Sequence, residues 1–290
     1  MELTRAEGRL MAIGGAEDRE NDCGILKEFL RLAKGPKARI VVMTVATDLV
    51  EEVGMEYTNA FKRLGVDDVQ IVDVSSREDA QSGAGVKAVE EATGIFFTGG
   101  DQLHITALMG GSKLHQALFQ NFQKGVVVAG TSAGASMMGN SMIISGDRNE
   151  TPRFGRVEIG PGMDFMIGAI IDTHFSQRGR IGRLLTAVAH FPQDLGIGVD
   201  ENTALVITDH HFDVIGEGAV TVIDAGAISH NNLPYIEEGG GLALYDVKLH
   251  VLPAGCRFDL NSRRPILTGE TSADGPPPKT KKAGRHAKKR

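Results

Sequence analysis

Short apolar runs alternate with helix-spaced apolar positions along the first two-thirds of the chain. Residues 9–13 read as a strand that stops at Gly14-Gly15, and residues 22–33 set Ile25, Leu26, Phe29, Leu30 and Ala33 at helical spacing. Strands are predicted over 40–44, 69–74 and 95–98, with helices over 50–64 and 86–92 between them. Two helical stretches, 102–109 and 114–122, lead to a strand at 126–129 and a helix opening at Ser132. Residues 167–171 form one more apolar strand.

These strands are near-continuous runs of valine, isoleucine and phenylalanine, as expected when both faces of a sheet are covered. Alternation with helices implies a mostly parallel sheet with helices on both faces, an α/β fold. After about residue 195 the texture changes. Short strands at 197–199, 204–208, 212–215, 220–224 and 242–252 are separated by turn residues, which predicts an antiparallel C-terminal extension on the same body. One catalytic domain is therefore expected over 1–268. Residues 269–290 hold Pro276-Pro277-Pro278 and a lysine run that cannot build a core, and are expected to be a disordered tail.

Composition adds few constraints. Hydrophobic residues make up 41% of the chain and charged residues 23%, ordinary for a globular protein. No run approaches eighteen apolar residues, so no membrane span is expected. The first residues lack the apolar core of a signal peptide. Cys23 and Cys256 are too few for a disulfide framework and lack metal-ligand spacing, which suits a reduced, cytoplasmic setting. Seven basic residues crowd the last twelve positions; without them the net charge of -6 becomes -13. A body this acidic argues against nucleic acid as a specific partner.

Gly130-Thr131-Ser132-Ala133-Gly134 matches G-x-S-x-G between a predicted strand and a predicted helix. A nucleophile on so sharp a turn needs small residues two positions either side, and the helix amides can then face a developing oxyanion. A serine hydroxyl needs a base. His174 follows the apolar strand 167–171, and residues just past strand ends gather where α/β active sites form. An acid should orient the imidazole. Asp200 and Glu201 both follow an apolar run, and their spacing does not choose between them. The order serine, histidine, acid also differs from that of α/β-hydrolases. Thr98-Gly99-Gly100-Asp101 is another strand end, where the amide of Gly99 or Gly100 could complete an oxyanion hole with that of Ala133.

Arg178, Arg180 and Arg183 lie within six residues beside His174. Arginine binds carboxylates in bidentate fashion, so the cluster suggests a substrate carboxylate. Asp172 and Asp101 are candidates to meet a cationic group on the same substrate.

These segments together resemble the cyanophycinases, within a serine peptidase family (S51) that also contains aspartyl dipeptidases. The resemblance runs to about residue 268. It rests on residues 13–18, 97–102, 129–135, 172–185 and 198–204. It implies a flavodoxin-like core related to class I glutamine amidotransferases, a homodimer, and a Ser132, His174, Glu201 triad. It implies Gln102, Asp172, Arg178, Arg180 and Arg183 as pocket positions, with Thr173 standing where many members carry glutamine. The implied substrate is cyanophycin, a poly-aspartate with arginine on each side-chain carboxyl, cut to β-Asp-Arg dipeptides without metal or cofactor. The rival readings are an α-aspartyl dipeptidase with the same triad and a non-catalytic binding protein.

Overall fold

In the computed structural model, residues 8–146 and 151–267 are described. The predicted tail at 269–290 lies outside them. Strand β1 (Leu10–Ile13) opens the chain and is followed by α1 (Gly24–Leu32), β2 (Arg39–Met43), α2 (Val50–Arg63) and β3 (Asp68–Val72). Then come α3 (Gly83–Glu91), β4 (Gly94–Phe97), α4 (Gln102–Met109), α5 (Lys113–Gln123) and β5 (Val127–Thr131). A short α6 (Ala133–Ser136) leads to β6 (Ser141–Gly146), β7 (Val157–Pro161), β8 (Ala169–Thr173), α7 (Ile181–His190) and β9 (Leu195–Val199). The chain continues with β10 (Thr203–Thr208), β11 (His211–Gly216), β12 (Ala219–Asp224), β13 (His230–Asn231), β14 (Leu244–Tyr245), β15 (Lys248–Pro253), β16 (Arg257–Asp259) and β17 (Arg264–Ile266).

Nine strands form the main sheet in the order β17-β16-β11-β10-β1-β5-β4-β2-β3. The five from β1 to β3 are parallel, and β10, β11, β16 and β17 extend that sheet antiparallel. A second sheet has the order β15-β12-β9-β8, with β8 and β9 parallel and α7 crossing between them. Strand β1 is buried throughout, and its successive side chains enter opposite cores. Met11 and Ile13 enter the core beneath α1 and α2, while Leu10 and Ala12 enter the core shared by α3, α5 and the second sheet. Helix α7 closes the outer face of the second sheet through Leu184, Ala187 and Val188 against Ile170 and Ile223.

The structure departs from the sequence reading in three places. The helix expected at Ser132 is one turn long and gives way to the β6–β7 hairpin, which the sequence reading left out. The strand expected over 242–252 breaks between β14 and β15, where Asp246 takes φ 61: β14 pairs with β13 in a two-stranded ribbon and β15 with β12 in the second sheet. The strand preceding His174 does not join the main sheet: β8 pairs with β9 in the second one.

Candidate active site

Ser132 follows β5 directly, with φ 52 and ψ -113, backbone angles that L residues rarely adopt. Small neighbours make this turn possible. A Cβ on Gly130 would collide with the carbonyl of Gly134, and one on Gly134 would lie 2.6 Å from the Phe97 carbonyl oxygen. The amides of Ala135 and Ser136 close onto the Ser132 carbonyl at 3.0 and 2.9 Å, starting the helical turn. Gly99 lies beside Ser132, where a Cβ would be 3.9 Å from its Oγ. Gly100, at φ 141, passes close under the Ala46 carbonyl. Among the described residues, the amides of Gly100 and Ala133 have no hydrogen-bond acceptor.

The Ser132 hydroxyl donates to His174 Nε2 at 2.9 Å, and His174 Nδ1 donates to Glu201 Oε1 at 2.6 Å. A neutral imidazole carrying its proton on Nδ1 satisfies both bonds. Asp200, the other acid that spacing left open, is committed elsewhere: its carboxylate accepts the amides of Ser176 at 3.0 Å and Ala219 at 3.2 Å. Burial holds the His174 pKa below its ordinary value, and the charges of Arg178 and Arg180 act in the same direction. The hydrogen bond and charge of Glu201 oppose this without overcoming it. The imidazole is therefore neutral, and able to accept a proton, at neutral pH.

The three residues come from two sheets, and the loop after β1 ties them together. Ile13, Gly14 and Gly15 offer three consecutive carbonyls. They accept the amides of Ser132 (3.0 Å), His174 (2.8 Å) and Asn202 (2.9 Å), the last adjacent to Glu201. The loop needs glycine, since a Cβ on Gly14 would strike the Asp200 carbonyl and one on Gly15 the His174 ring.

The expected pocket residues divide into two groups. Asp172 is 1% exposed and lies under the His174 turn. Arg183 grips it with two donors, Nε at 2.7 Å to Oδ2 and Nη2 to Oδ1. Arg180 adds an ion pair at 3.3 Å and donates to the Thr173 carbonyl at 2.5 Å. Thr173 is also buried, its hydroxyl 3.5 Å from that of Ser136. Asp172 thus pairs with both buried arginines, and Asp101 accepts the Leu103 amide as the N-cap of α4. The expectation that Asp172 meets a cationic substrate group is at odds with this geometry, whereas Asp101 is exposed and spends one oxygen on the cap. Gln102 spends its amide on the carbonyls of Ile143 and Ile144, at 2.7 and 2.9 Å. Arg178 is only half-buried, close enough to lower the His174 pKa.

The model of peptidase family S51 matches residues 10–215. The cyanophycinase of Nostoc sp. (strain PCC 7120 / SAG 25.82 / UTEX 2576) is 36% identical over 256 residues, covering 88% of this chain and 86% of that one. The cyanophycinase of Geminocystis herdmanii (strain PCC 6308) is 36% identical over 259 residues, 89% of this chain and 95% of its own. The crystal structure of a peptidase from an acI-B1 Actinobacterium superposes with a TM-score of 0.64 at 20% identity, covering 87% of this chain and 96% of that one, and so shares the fold.

The chain belongs to peptidase family S51.

Sequence reasoning about this S51 peptidase missed one feature of the site. A cavity of about 190 Å³ opens beside Ser132, lined by Gly15, Glu17, Arg19, Tyr57 and Gly99 among others. Glu17 lies within the 13–18 motif, but one acid in a loop carries no local sign that the fold turns it inward. Its partner Tyr57 comes from α2, forty residues away.

Proposed function

We propose that this chain is a serine peptidase that hydrolyses cyanophycin to β-Asp-Arg dipeptides through an acyl-enzyme on Ser132. The observation that carries this reading is the hydrogen-bonded series Ser132–His174–Glu201 in a chain 36% identical to cyanophycinases over nearly nine-tenths of its length.

His174 Nε2 takes the Ser132 proton as Oγ attacks an aspartyl backbone carbonyl. The oxyanion is met by the amides of Ala133 and Gly100, which have no acceptor among the described residues. Glu201 holds the Nδ1–H tautomer and stabilises the imidazolium. His174 returns the proton to the leaving amine, the peptide bond breaks, and an ester remains on Ser132. Water then attacks that ester, with His174 again as base, and frees the serine. Half-buried Arg178 is the arginine suited to a substrate carboxylate, while Asp172, Arg180 and Arg183 brace the turn that carries His174. A homodimeric assembly belongs to the same proposal. No helix among the described residues is long and apolar enough to cross a membrane.

Incubation with insoluble cyanophycin, followed by chromatography of the soluble products, tests the reading. Release of β-Asp-Arg is expected. Turnover of short Asp-X peptides without that release would replace it with an α-aspartyl dipeptidase.

A further inference from the structure

We propose that the cavity beside Ser132 is a subsite for one arginyl branch of the substrate, with Glu17 taking the guanidinium and Arg19 the branch's free carboxylate. The inference rests on the cyanophycin reading above and extends it to residues with no part in the triad.

Glu17 is 4% exposed, yet its hydrogen-bond partners are two neutral hydroxyls. Tyr57 donates to Oε1, and Thr131, the residue before the nucleophile, donates to Oε2 at 2.5 Å. A carboxylate has about four acceptor positions, so half of its capacity is open. The charge of Arg19 already reaches Glu17, but among the described residues no hydrogen bond joins them, so a guanidinium donating to the open positions adds a charge-assisted bond. Arg19 stands on the same wall, its guanidinium carbon 5.2 Å from the centre of the Tyr57 ring and Nη1 paired with Glu56 at 2.7 Å. The Arg19 side chain is 36% exposed, and a planar guanidinium with five donors can take a second carboxylate.

One anion and one cation on a single wall complement a branch that ends in a guanidinium and a carboxylate. The other charged cluster near the nucleophile, Asp172 with Arg180 and Arg183, is buried and paired internally, one carboxylate holding two guanidiniums. Size agrees as well. At about 190 Å³ the cavity is smaller than the roughly 300 Å³ at which drug-sized pockets begin, so it suits a side branch and not a whole dipeptide. The tie from Glu17 to Thr131 places the branch next to the attacked carbonyl.

The test compares three soluble β-Asp-Arg oligomer substrates: the native one, one with citrulline in place of arginine, and one with its branch carboxylates amidated. Wild type should prefer arginine over citrulline and carboxylate over amide in kcat/KM, chiefly through KM. Glu17→Gln should shrink the first preference about tenfold or more, as for loss of a charged hydrogen bond, and Arg19→Gln should shrink the second. Each preference is a ratio within one variant, so a merely structural role for Glu17 lowers both rates and leaves the ratio alone. If Glu17→Gln does not fold, the partly exposed Arg19→Gln arm decides. Ratios that match wild type in the folded variants, or no wild-type preference, would overturn the subsite while leaving the peptidase reading intact. Failure of wild type to cut any oligomer would overturn both.

Discussion

Gly15 faces the imidazole of His174 so closely that a Cβ at this position would lie 2.5 Å from Nε2. Nε2 is also the atom that accepts the Ser132 hydroxyl, at 2.9 Å. The same glycine, at φ 98, passes its carbonyl to the amide of Asn202 and so anchors the loop that carries Glu201. One residue without a side chain thus sets the ring's position and the acid's.

Gly15→Ala should therefore damage catalysis more than folding. The positive φ costs an alanine about 1–2 kcal/mol, which a thermal melt will show as a modest loss. Displacing the ring by about an ångström should lower kcat on the order of 10²-fold. Crystallography or a pH profile of the variant checks the cause: the ring should be moved, with the backbone of β1 in place.

The acid limb of the rate profile follows from His174. The imidazole is active when neutral, and burial lowers its pKa from the ordinary 6.5. The midpoint of kcat/KM against pH should accordingly lie below 6.5. Glu201 pulls the value upward, so Glu201→Gln should move the midpoint further down and reduce kcat by up to about 10⁴-fold. An upward shift would contradict the assigned pairing.

Arg183 and Arg178 should respond differently to removal. Arg183→Met leaves the buried Asp172 without its bidentate partner, and breaking a buried pair in this way costs about 3–5 kcal/mol. Denaturant unfolding should register that loss. Arg178→Ala, at a half-buried position, should change stability by no more than about 0.5 kcal/mol and appear in KM.

The fold was readable because burial on both faces leaves long apolar strands, and α1 shows its buried face as Ile25, Leu26, Phe29 and Leu30. Ser132 was readable because its strained turn demands glycines at fixed offsets. Other features depend on pairing that local pattern does not encode. Strand β8 looks like any buried strand, and only its ladder with β9 assigns it to the second sheet. The choice between Asp200 and Glu201 turns on which amides lie nearby, those of Ser176 and Ala219. An arginine run reads alike whether it meets a substrate or, as with Arg180 and Arg183, a buried aspartate. Glu17 meets Thr131 across 114 positions, a distance no motif spans.

The central claim is acyl transfer through Ser132. Its most direct measurement is the rate of β-Asp-Arg release from cyanophycin by Ser132→Ala beside wild type, with circular dichroism to establish that both are folded. The account predicts a fall in kcat on the order of 10⁶-fold, as when subtilisin loses its serine. A folded Ser132→Ala enzyme that keeps most of the wild-type rate would contradict it.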